Sequence, residues 1–411
     1  MSEDDKMLSP EQAQNIVLDH INPLSIERVA LLETLGRVLA EDILARSDNP
    51  PLDNSAMDGY ALHHADIAGV TPDVSVTLEM IEDIPAGQMG QQTVERGQTS
   101  RIMTGAPVPT GADTVIPVED TLCHNNHIEI IEGDDKGANI RCRGEDFHCD
   151  QLLIAAGSEC GPGEIAIMAS QQRSYPAVYR RPTLAILSTG DELAEIDQTV
   201  QKGHIVTSNT YGLAALALAN GAIPHMLPIA PDDKAAIRQA VESALEADFI
   251  LSSGGVSVGE YDFIKTVLDE MGAESKLWRV AMKPGKPLFF ALLQGKPYFG
   301  LPGNPISSLM SFLQFVRPAI RKASGHPPDH LVLPEARAIL DQAVENDGTR
   351  RQYMRARLRR ENGQLYAAVQ TSQGSHILTS MLGANGIVVL APEQCLEAGE
   401  DVRVQLIGPV N

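Results

Sequence analysis

The segment from Thr183 to about Lys322 constrains the fold more than any other part of this 411-residue chain. Apolar runs of strand length alternate there with helical patterns. Leu184–Leu187 reads as a strand and Asn209–Asn220 as a helix stopped by Gly221. Pro224–Ile229 and Asp248–Leu251 read as strands, and Asp232–Glu246 as the helix between them. Asp262–Met271 reads as a further helix, stopped by Gly272. Strands that recur between helices are covered on both faces, so the pattern predicts βαβ units around a buried parallel sheet. Ligands of such sheets bind beyond the carboxyl ends of the strands, which makes the following loops the places to look for chemistry.

The flanking segments have other textures. Ser9-Pro10-Glu11-Gln12 opens a helix with an N-cap, a proline at the first helical position and a capping-box glutamine. The apolar spacing from Ile26 to Leu44 predicts a second helix, interrupted by Gly36. From Pro50 to about Asp146, short β-like runs (Val74–Met80, Thr114–Val118, His127–Ile131) alternate with Gly, Pro and Asp. Pro162–Gln171 is helical in pattern, and the chain from about Pro327 is β again, with an Asn362-Gly363 hairpin turn. The expected domains are 1–49 with 147–178, a discontinuous helical linker domain; 50–146, β-rich; 179–326, α/β; and 327–411, a C-terminal β domain. A chain of this length exceeds one ordinary core, which agrees with several domains.

Asp plus Glu number 54 against 32 Lys plus Arg, a formal charge of −22 that repels nucleic acid and anionic membranes. An anionic ligand must therefore be held by local cations, backbone N–H groups or a divalent metal. The acidic start, Met1 to Lys6, has the character of neither a signal nor a transit peptide. Apolar runs such as Leu213–Ala219 and Pro287–Leu293 are too short to cross a bilayer. Cys123, Cys142, Cys149, Cys160 and Cys395 form no CxxC pair. Their spacing with His124, His127 and His148 matches no common zinc pattern, so reduced thiols and a cytoplasmic location are expected.

Four loops of the α/β segment carry the candidate chemistry. In Ser188-Thr189-Gly190-Asp191-Glu192, hydroxyls and N–H groups at a helix N-terminus suit an anion. Asp191 and Glu192 suit Mg²⁺ or a ligand amine, although Asp191 could equally be a helix cap. Ser252, Ser253, Gly254, Gly255, Ser257 and Gly259 precede Asp262 in a strand-to-helix loop that is neither Walker A nor GxGxxG. Glycines there let backbone amides approach a phosphate, and a tight turn needs fewer small residues. Lys283-Pro284-Gly285-Lys286-Pro287 sets two ammonium groups on a proline-stiffened turn. In Leu301-Pro302-Gly303-Asn304-Pro305, Asn304 is placed as an N-cap and Pro305 at the first helical position. By the strand-end rule the loops should converge. Two polar segments of the β-rich region, one around Asp58 and one holding Arg141, Arg143 and Asp146, read in isolation as solvated turns.

Those six segments and a seventh, Arg101–Ala106, resemble in their order the signature series of the MoeA family, which includes the gephyrin E domain. They are Asn54–Tyr60, Arg101–Ala106, Arg143–Asp146, Ser188–Leu193, Gly254–Gly259, Lys283–Pro287 and Leu301–Pro305. The resemblance covers essentially the whole chain. It implies an elongated homodimer of four-domain subunits, multidomain α/β plus β. Their parts are a three-layer molybdopterin-binding α/β domain with a parallel-type sheet, a β-rich domain, a helical linker domain and a C-terminal β-barrel-like domain. The implied reaction takes adenylylated molybdopterin and molybdate, with Mg²⁺, and gives molybdenum cofactor and AMP. The dithiolene sulfurs belong to the pterin, so no cysteine nucleophile is needed.

The resemblance also implies roles. Asp58, Thr104, Asp146, Glu192, Asp232 and Asp262 are the catalytic candidates, with Glu192 and Asp262 as Mg²⁺ ligands. Arg141, Ser188, Thr189, Gly190, Asp191, Ser252, Gly254, Gly255, Ser257 and Gly259 are substrate-binding candidates. So are Lys283, Lys286, Pro302, Asn304, Pro305 and Ser375, the two lysines holding a terminal phosphate or molybdate. Asp58, Thr104, Arg141 and Asp146 are expected to act from the other subunit of the dimer. Contacts with the adenylyltransferase and with molybdoenzyme maturation proteins are expected, and none with nucleic acid or membrane. Two other readings remain: a molybdopterin adenylyltransferase on the same α/β domain, although that type is usually one short domain, and a non-catalytic dimeric scaffold of the gephyrin type.

Overall fold

The computed structural model describes residues 7–71, 73–254 and 263–410. The chain forms two compact units: Met1–Glu41 with Ala156–Ile165 and Tyr175–Asn411, and Asp42–Ala155 with Ala166–Ser174.

The first unit is organised by a six-stranded sheet. Its strands are β1 (Thr183–Ser188), β2 (Ile223–Met226), β3 (Phe249–Ser253), β4 (Glu274–Arg279), β5 (Pro287–Leu293) and β6 (Lys296–Leu301), in the spatial order β2-β1-β3-β6-β5-β4. The β2, β1, β3 and β6 strands run parallel, and β5 and β4 extend the sheet antiparallel. The helices α2 (Ser208–Ala219), α3 (Lys234–Ala244) and α4 (Phe263–Glu270) lie in the connections between strands. Strand parity sorts the side chains into two cores. Leu184, Ile186, Phe249 and Leu251 pack with Leu213 and Ala217 of α2, while Ala185, Leu187 and Ile250 pack with Val241 of α3 and Val267 of α4. This is the three-layer α/β arrangement that the alternating pattern predicts. Asp233 caps α3 by accepting from the N–H groups of Ala235 and Ala236.

A long helix completes the first core: α5 (Pro305–Ser311), a π-helical turn over Phe312–Val316, and α6 (Arg317–Ala323). The N-terminal helix α1 (Pro10–Asp19) joins the same core through Ala13 and Val17, and its Ser9–Gln12 capping box forms as expected. Burying each such Val or Leu contributes about 1.5–3 kcal/mol.

Beyond α6 the chain closes a small barrel. Strands β7 (Glu335–Leu340), β8 (Arg351–Glu361), β9 (Gln364–Val369), β10 (Gly386–Leu390) and β11 (Asp401–Leu406) follow the order β8-β9-β7-β11-β10, and β10 pairs back onto β8. Closure removes the sheet edges, and Met354, Ala356, Leu358, Val388 and Val404 fill the interior. Asn362 and Gly363 turn β8 into β9 with φ of 50° and 80°, the hairpin that the sequence predicts. Met282–Lys283 adds a short parallel pairing to Arg351–Gln352 of β8, which ties the lysine turn to the barrel.

The second unit holds another six-stranded sheet, in the order Thr114–Pro117, Gly59–Leu62, Gln98–Ile102, Val76–Ile84, His127–Ile130 and Thr121–His124. Tyr60, Leu62, Leu78, Ile116 and Ile128 form its main core.

The expected helix over Ile26–Leu44 is not there. Ile26–Arg28 is a strand paired with Ala177–Tyr179, Leu31–Thr34 is a single 3₁₀ turn, and Ile43–Leu44 pairs with Leu152–Ile154. Gly36, at φ 70°, breaks helical geometry, and Leu32 and Leu35 are 78% and 55% exposed, so the apolar spacing marks no buried helical stripe. Among the described residues no helix is long and apolar enough to cross a membrane.

Candidate functional site

Two cavities flank the first turn of α5. The larger, about 500 Å³, is lined by Lys283, Lys286, Arg350 and Arg355 together with Ser307 and Ser375. No aspartate or glutamate lines it among the described residues. Four cations without a lining carboxylate, in a chain of net charge −22, make a local trap for an oxyanion. The lysine turn reaches this cavity because of its own backbone. Val280 N–H donates to the Lys286 carbonyl (3.1 Å), Arg351 N–H donates to the Ala281 carbonyl (3.1 Å), and Gly285 sits at φ 110°. A Cβ on Gly285 would come within 2.9 Å of Ser311 Oγ and 3.1 Å of Met282 Cε. Gly285→Ala is therefore expected to displace both ammonium groups and to weaken oxyanion binding about tenfold, at a stability cost of roughly 1–3 kcal/mol. Calorimetric titration of molybdate alongside thermal unfolding would check it, and unchanged binding would mean that the turn tolerates the shift.

Arg355 forms the back of the cavity and is fully buried. Its Nε donates to Ser380 Oγ (3.1 Å), and its Nη2 donates to the carbonyls of Ser372 and Gly374 (3.3 Å each). Its Nη1 has no partner among the described residues. Burial lowers its pKa to about 10, which still leaves it a cation at neutral pH. The Gln373 amide holds the loop in place, accepting from Arg355 N–H (3.0 Å) and donating to the Arg355 and Gln370 carbonyls (3.0 and 2.8 Å). Ser375 then offers its carbonyl to Ile306 N–H in the first turn of α5 (3.0 Å).

The second cavity, about 110 Å³, lies at the carboxyl ends of β1 and β3 and is lined by Ser188, Thr189, Glu192, Asn209, Ser253, Gly254, Gly303 and Pro305 among others. Three expectations change here. The Ser188–Gly190 loop does not open a helix: it runs into a short strand, Leu193–Ala194, paired with Ile205–Val206, and α2 begins only at Ser208. The Ser188 hydroxyl is spent in a buried chain with Thr210 and Thr207, 2.7 Å per step. Ser252 is fully buried, its hydroxyl without a partner among the described residues, and strand parity sends it to the side of Ile250, away from α2; Ser253 lines the cavity instead. Nor do the described parts of the four loops meet in one hollow. The lysine turn joins two antiparallel regions, so it faces the barrel and forms the other cavity.

The carboxylates stand close to this second cavity. Gly190, at φ 146°, leaves room for the Glu192 carboxylate, which a Cβ there would meet at 2.5 Å. Asp191 accepts from Asp232 N–H (3.1 Å). Partial burial, then the charges of Asp191 and Glu192, push the Asp232 carboxyl upward. Asn304 takes the N-cap conformation of α5 without a side-chain capping bond among the described residues, Pro305 follows it, and the Pro302 carbonyl accepts from the Ser308 hydroxyl. Gly255, Ser257, Gly259 and Asp262 lie outside the described residues.

In the second unit the sequence candidates form a cluster of their own. Asp58 Oδ1 accepts from Thr104 N–H (2.7 Å) and from the Thr104 hydroxyl (2.6 Å). These two bonds, hydroxyl first, hold the Asp58 carboxyl below the usual range, with help from Arg101. Asn54–Ser55 pairs on one side with Ile140–Arg141 and bonds on the other with Gly105 and Ala106, which brings the Asp58, Thr104 and Arg141 segments together. Asp146 accepts from Asn49 Nδ2 (2.9 Å), and Arg143 is occupied by Asp48.

The sequence reading missed Arg350, Arg355, Ser307 and Asn209. Arg355 carried the one available signal, a cation inside the mostly apolar run Tyr353–Leu358.

Among the described residues no group of three or more His, Cys, Asp or Glu is placed to hold a metal. Mg²⁺ differs from such caged ions: it keeps waters and takes one or two carboxylates plus phosphate oxygens. Glu192, beside an Asp232 pushed upward by partial burial and then by its acidic neighbours, fits that partial donor set.

Comparison with known proteins agrees along the chain. Residues 8–171 match the MoeA N-terminal region (domain I and II), 185–322 the family described as probable molybdopterin binding domain, and 337–407 the MoeA C-terminal region (domain IV). A molybdopterin molybdenumtransferase from a Nostoc species is 38% identical, over 97% of this chain and 93% of its own. The Haemophilus influenzae molybdopterin molybdenumtransferase is 34% identical, over 97% and 98%. A crystal structure of the molybdopterin biosynthesis moeA protein from Pyrococcus horikoshii OT3 superposes with a TM-score of 0.83 at 28% identity, covering 98% of this chain and 100% of that one. With relatives this similar over nearly their full length, the chain belongs to the MoeA family of molybdopterin molybdenumtransferases.

Proposed function

We propose that this protein inserts molybdate into adenylylated molybdopterin, with Mg²⁺-dependent release of AMP. The observation that carries the reading is the pair of cavities on either side of α5: one cationic with no lining carboxylate, the other containing Glu192 at the strand ends. Molybdate is a dianion of four oxygens. Lys283, Lys286, Arg350 and Arg355 neutralise it, and the Ser307 and Ser375 hydroxyls supply further donors. The pterin and nucleotide take the strand-end side, where Thr189, Ser253 and Gly254 line the second cavity.

The protein's work is positioning and charge neutralisation. Glu192 would hold Mg²⁺ together with phosphate oxygens, and the bound ion would neutralise charge on the phosphoanhydride. Asp232, with its raised carboxyl, stands beside Glu192 to orient the ligand or the hydrolytic water. In this reading the protein is a homodimer, and Asp58, Thr104, Arg141 and Asp146 serve the site of the other subunit. The Asp58–Thr104 bonds support it, because they fix an ionised carboxylate on a rigid sheet. The reaction runs in the cytoplasm, where the exposed free thiols of Cys123, Cys142, Cys149 and Cys395 stay reduced. Contacts with the adenylyltransferase that supplies the substrate, and with the proteins that receive the product, belong to the same reading.

Reconstitution tests it: purified protein, adenylylated molybdopterin and Mg²⁺, with and without molybdate, following AMP release and activation of an apo molybdoenzyme. Molybdate-dependent release with activation is expected. Pterin binding with neither product would overturn the reading.

A further inference from the structure

The geometry points to Asn209 as a substrate-reading residue, whose side-chain oxygen accepts a hydrogen bond from the ring-amino edge of the substrate. Asn209 is the second residue of α2 and lines the strand-end cavity. Its Nδ2 donates to Ser253 Oγ at the end of β3 (2.9 Å) and to the Gly303 carbonyl before α5 (2.8 Å). These bonds settle the orientation of the amide. A carbonyl oxygen only accepts, so the NH₂ group must face Gly303, and a flipped amide would set two acceptors against each other. Both amide hydrogens are thereby used. Oδ1 keeps its acceptor capacity and has no partner among the described residues.

The clamp also joins two walls of the cavity. Gly254 N–H donates to the Leu301 carbonyl (3.0 Å), so β3 and the turn before α5 already lie side by side, and Asn209 closes them from the helix. An acceptor held by two bonds loses little entropy when it engages a ligand, which is what a discriminating contact needs. Asn209 lines the second cavity, and its Oδ1 takes a ligand group that donates, in contrast to the cation-lined cavity across α5.

This inference rests on the proposed function, whose substrate carries two amino-bearing rings: the 2-amino-pyrimidinone of the pterin and the 6-amino-purine of the nucleotide. The shared chemistry is an exocyclic N–H donor beside a ring nitrogen. Two competition pairs separate the sources, pterin against lumazine and AMP against IMP, each exchanging the amino group for an oxo group. In the wild-type protein one pair is expected to show about a tenfold preference for the amino member, the value of one hydrogen bond in a closed site. Asn209→Ala should bring that ratio to near one while molybdate affinity stays the same. Ser253→Ala, which removes one tether and leaves the acceptor, should lower the ratio only in part, and it carries the test if the Asn209 variant does not fold. Equal weakening of both members of the pair would show a merely structural role and overturn the inference, as would a wild-type protein with no amino preference in either pair. A wild-type protein that bound neither ring would overturn the functional reading as well, which the AMP-release assay reports separately.

Discussion

Replacing Lys283 and Lys286 together with alanine is expected to raise the molybdate concentration for half-maximal AMP release by at least about a hundredfold, because two charge-assisted contacts of roughly 1.5–3 kcal/mol each are lost. The fold should survive. The turn is held by main-chain bonds, Val280 N–H to Lys286 carbonyl and Arg351 N–H to Ala281 carbonyl, which side-chain truncation leaves in place. Lys283 is exposed and Lys286 half-buried, so little packing is lost with either. Arginine replacements should rescue poorly, since a planar fork on a longer stem cannot occupy the place of a compact ammonium on a stiff turn. Molybdate titrations of AMP release, with equilibrium binding of molybdate to the same preparations, measure the effect. An unchanged molybdate dependence in the double variant would remove the cationic cavity from the reaction.

What the sequence could reveal here, and what it could not, follows from where each group sits. The βαβ segment was legible because burial on both faces of a sheet leaves continuous apolar runs such as Leu184–Leu187 and Phe249–Leu251. The loops were legible because glycine and proline are costly without a use, as at Gly190 and in the Lys283–Pro287 turn. Arg355 was not. It faces outward from the barrel, where alternation predicts solvent, and it is buried only because the Gln370–Ser380 loop folds over it. Asn209 sits within a helical pattern whose periodicity speaks for packing, and nothing in the spacing shows that its amide bridges two distant loops. Of the adjacent Ser252 and Ser253 only Ser253 lines the strand-end cavity, because a step of one residue sends a side chain to the opposite face of a strand, a distinction the loop composition does not carry. The false helix over Ile26–Leu44 arose from apolar residues that do not all go inside: Leu32 and Leu35 stay exposed.

Asp58→Ala should cut turnover by about a thousandfold or more, the scale on which preorganised electrostatic groups act, with the melting temperature nearly unchanged. Asp58 is exposed, so its removal opens no cavity, and the strand beside it, Gly59–Leu62, keeps its pairing to Gln98–Ile102. The informative comparison is with Asp58→Asn. Asparagine can still accept from Thr104 but carries no charge, so it should be about as inactive as alanine if the carboxylate charge is the working feature. The pH behaviour gives an independent check. The Thr104 hydroxyl and N–H depress the Asp58 carboxyl, so its ionised form is complete above the ordinary aspartate value and is lost only as the pH falls through the depressed one. Between about pH 5 and 9 Asp58 is a carboxylate throughout and contributes no inflection to the rate profile. Residual activity in Asp58→Asn should therefore keep the wild-type profile at a lower level. Thr104→Val removes the hydroxyl bond and keeps the N–H, so it should cost about tenfold in rate and move the Asp58 carboxyl upward in a carboxyl NMR titration. Full activity in Asp58→Asn would show that the charge is dispensable and that Asp58 only fixes the Thr104 loop.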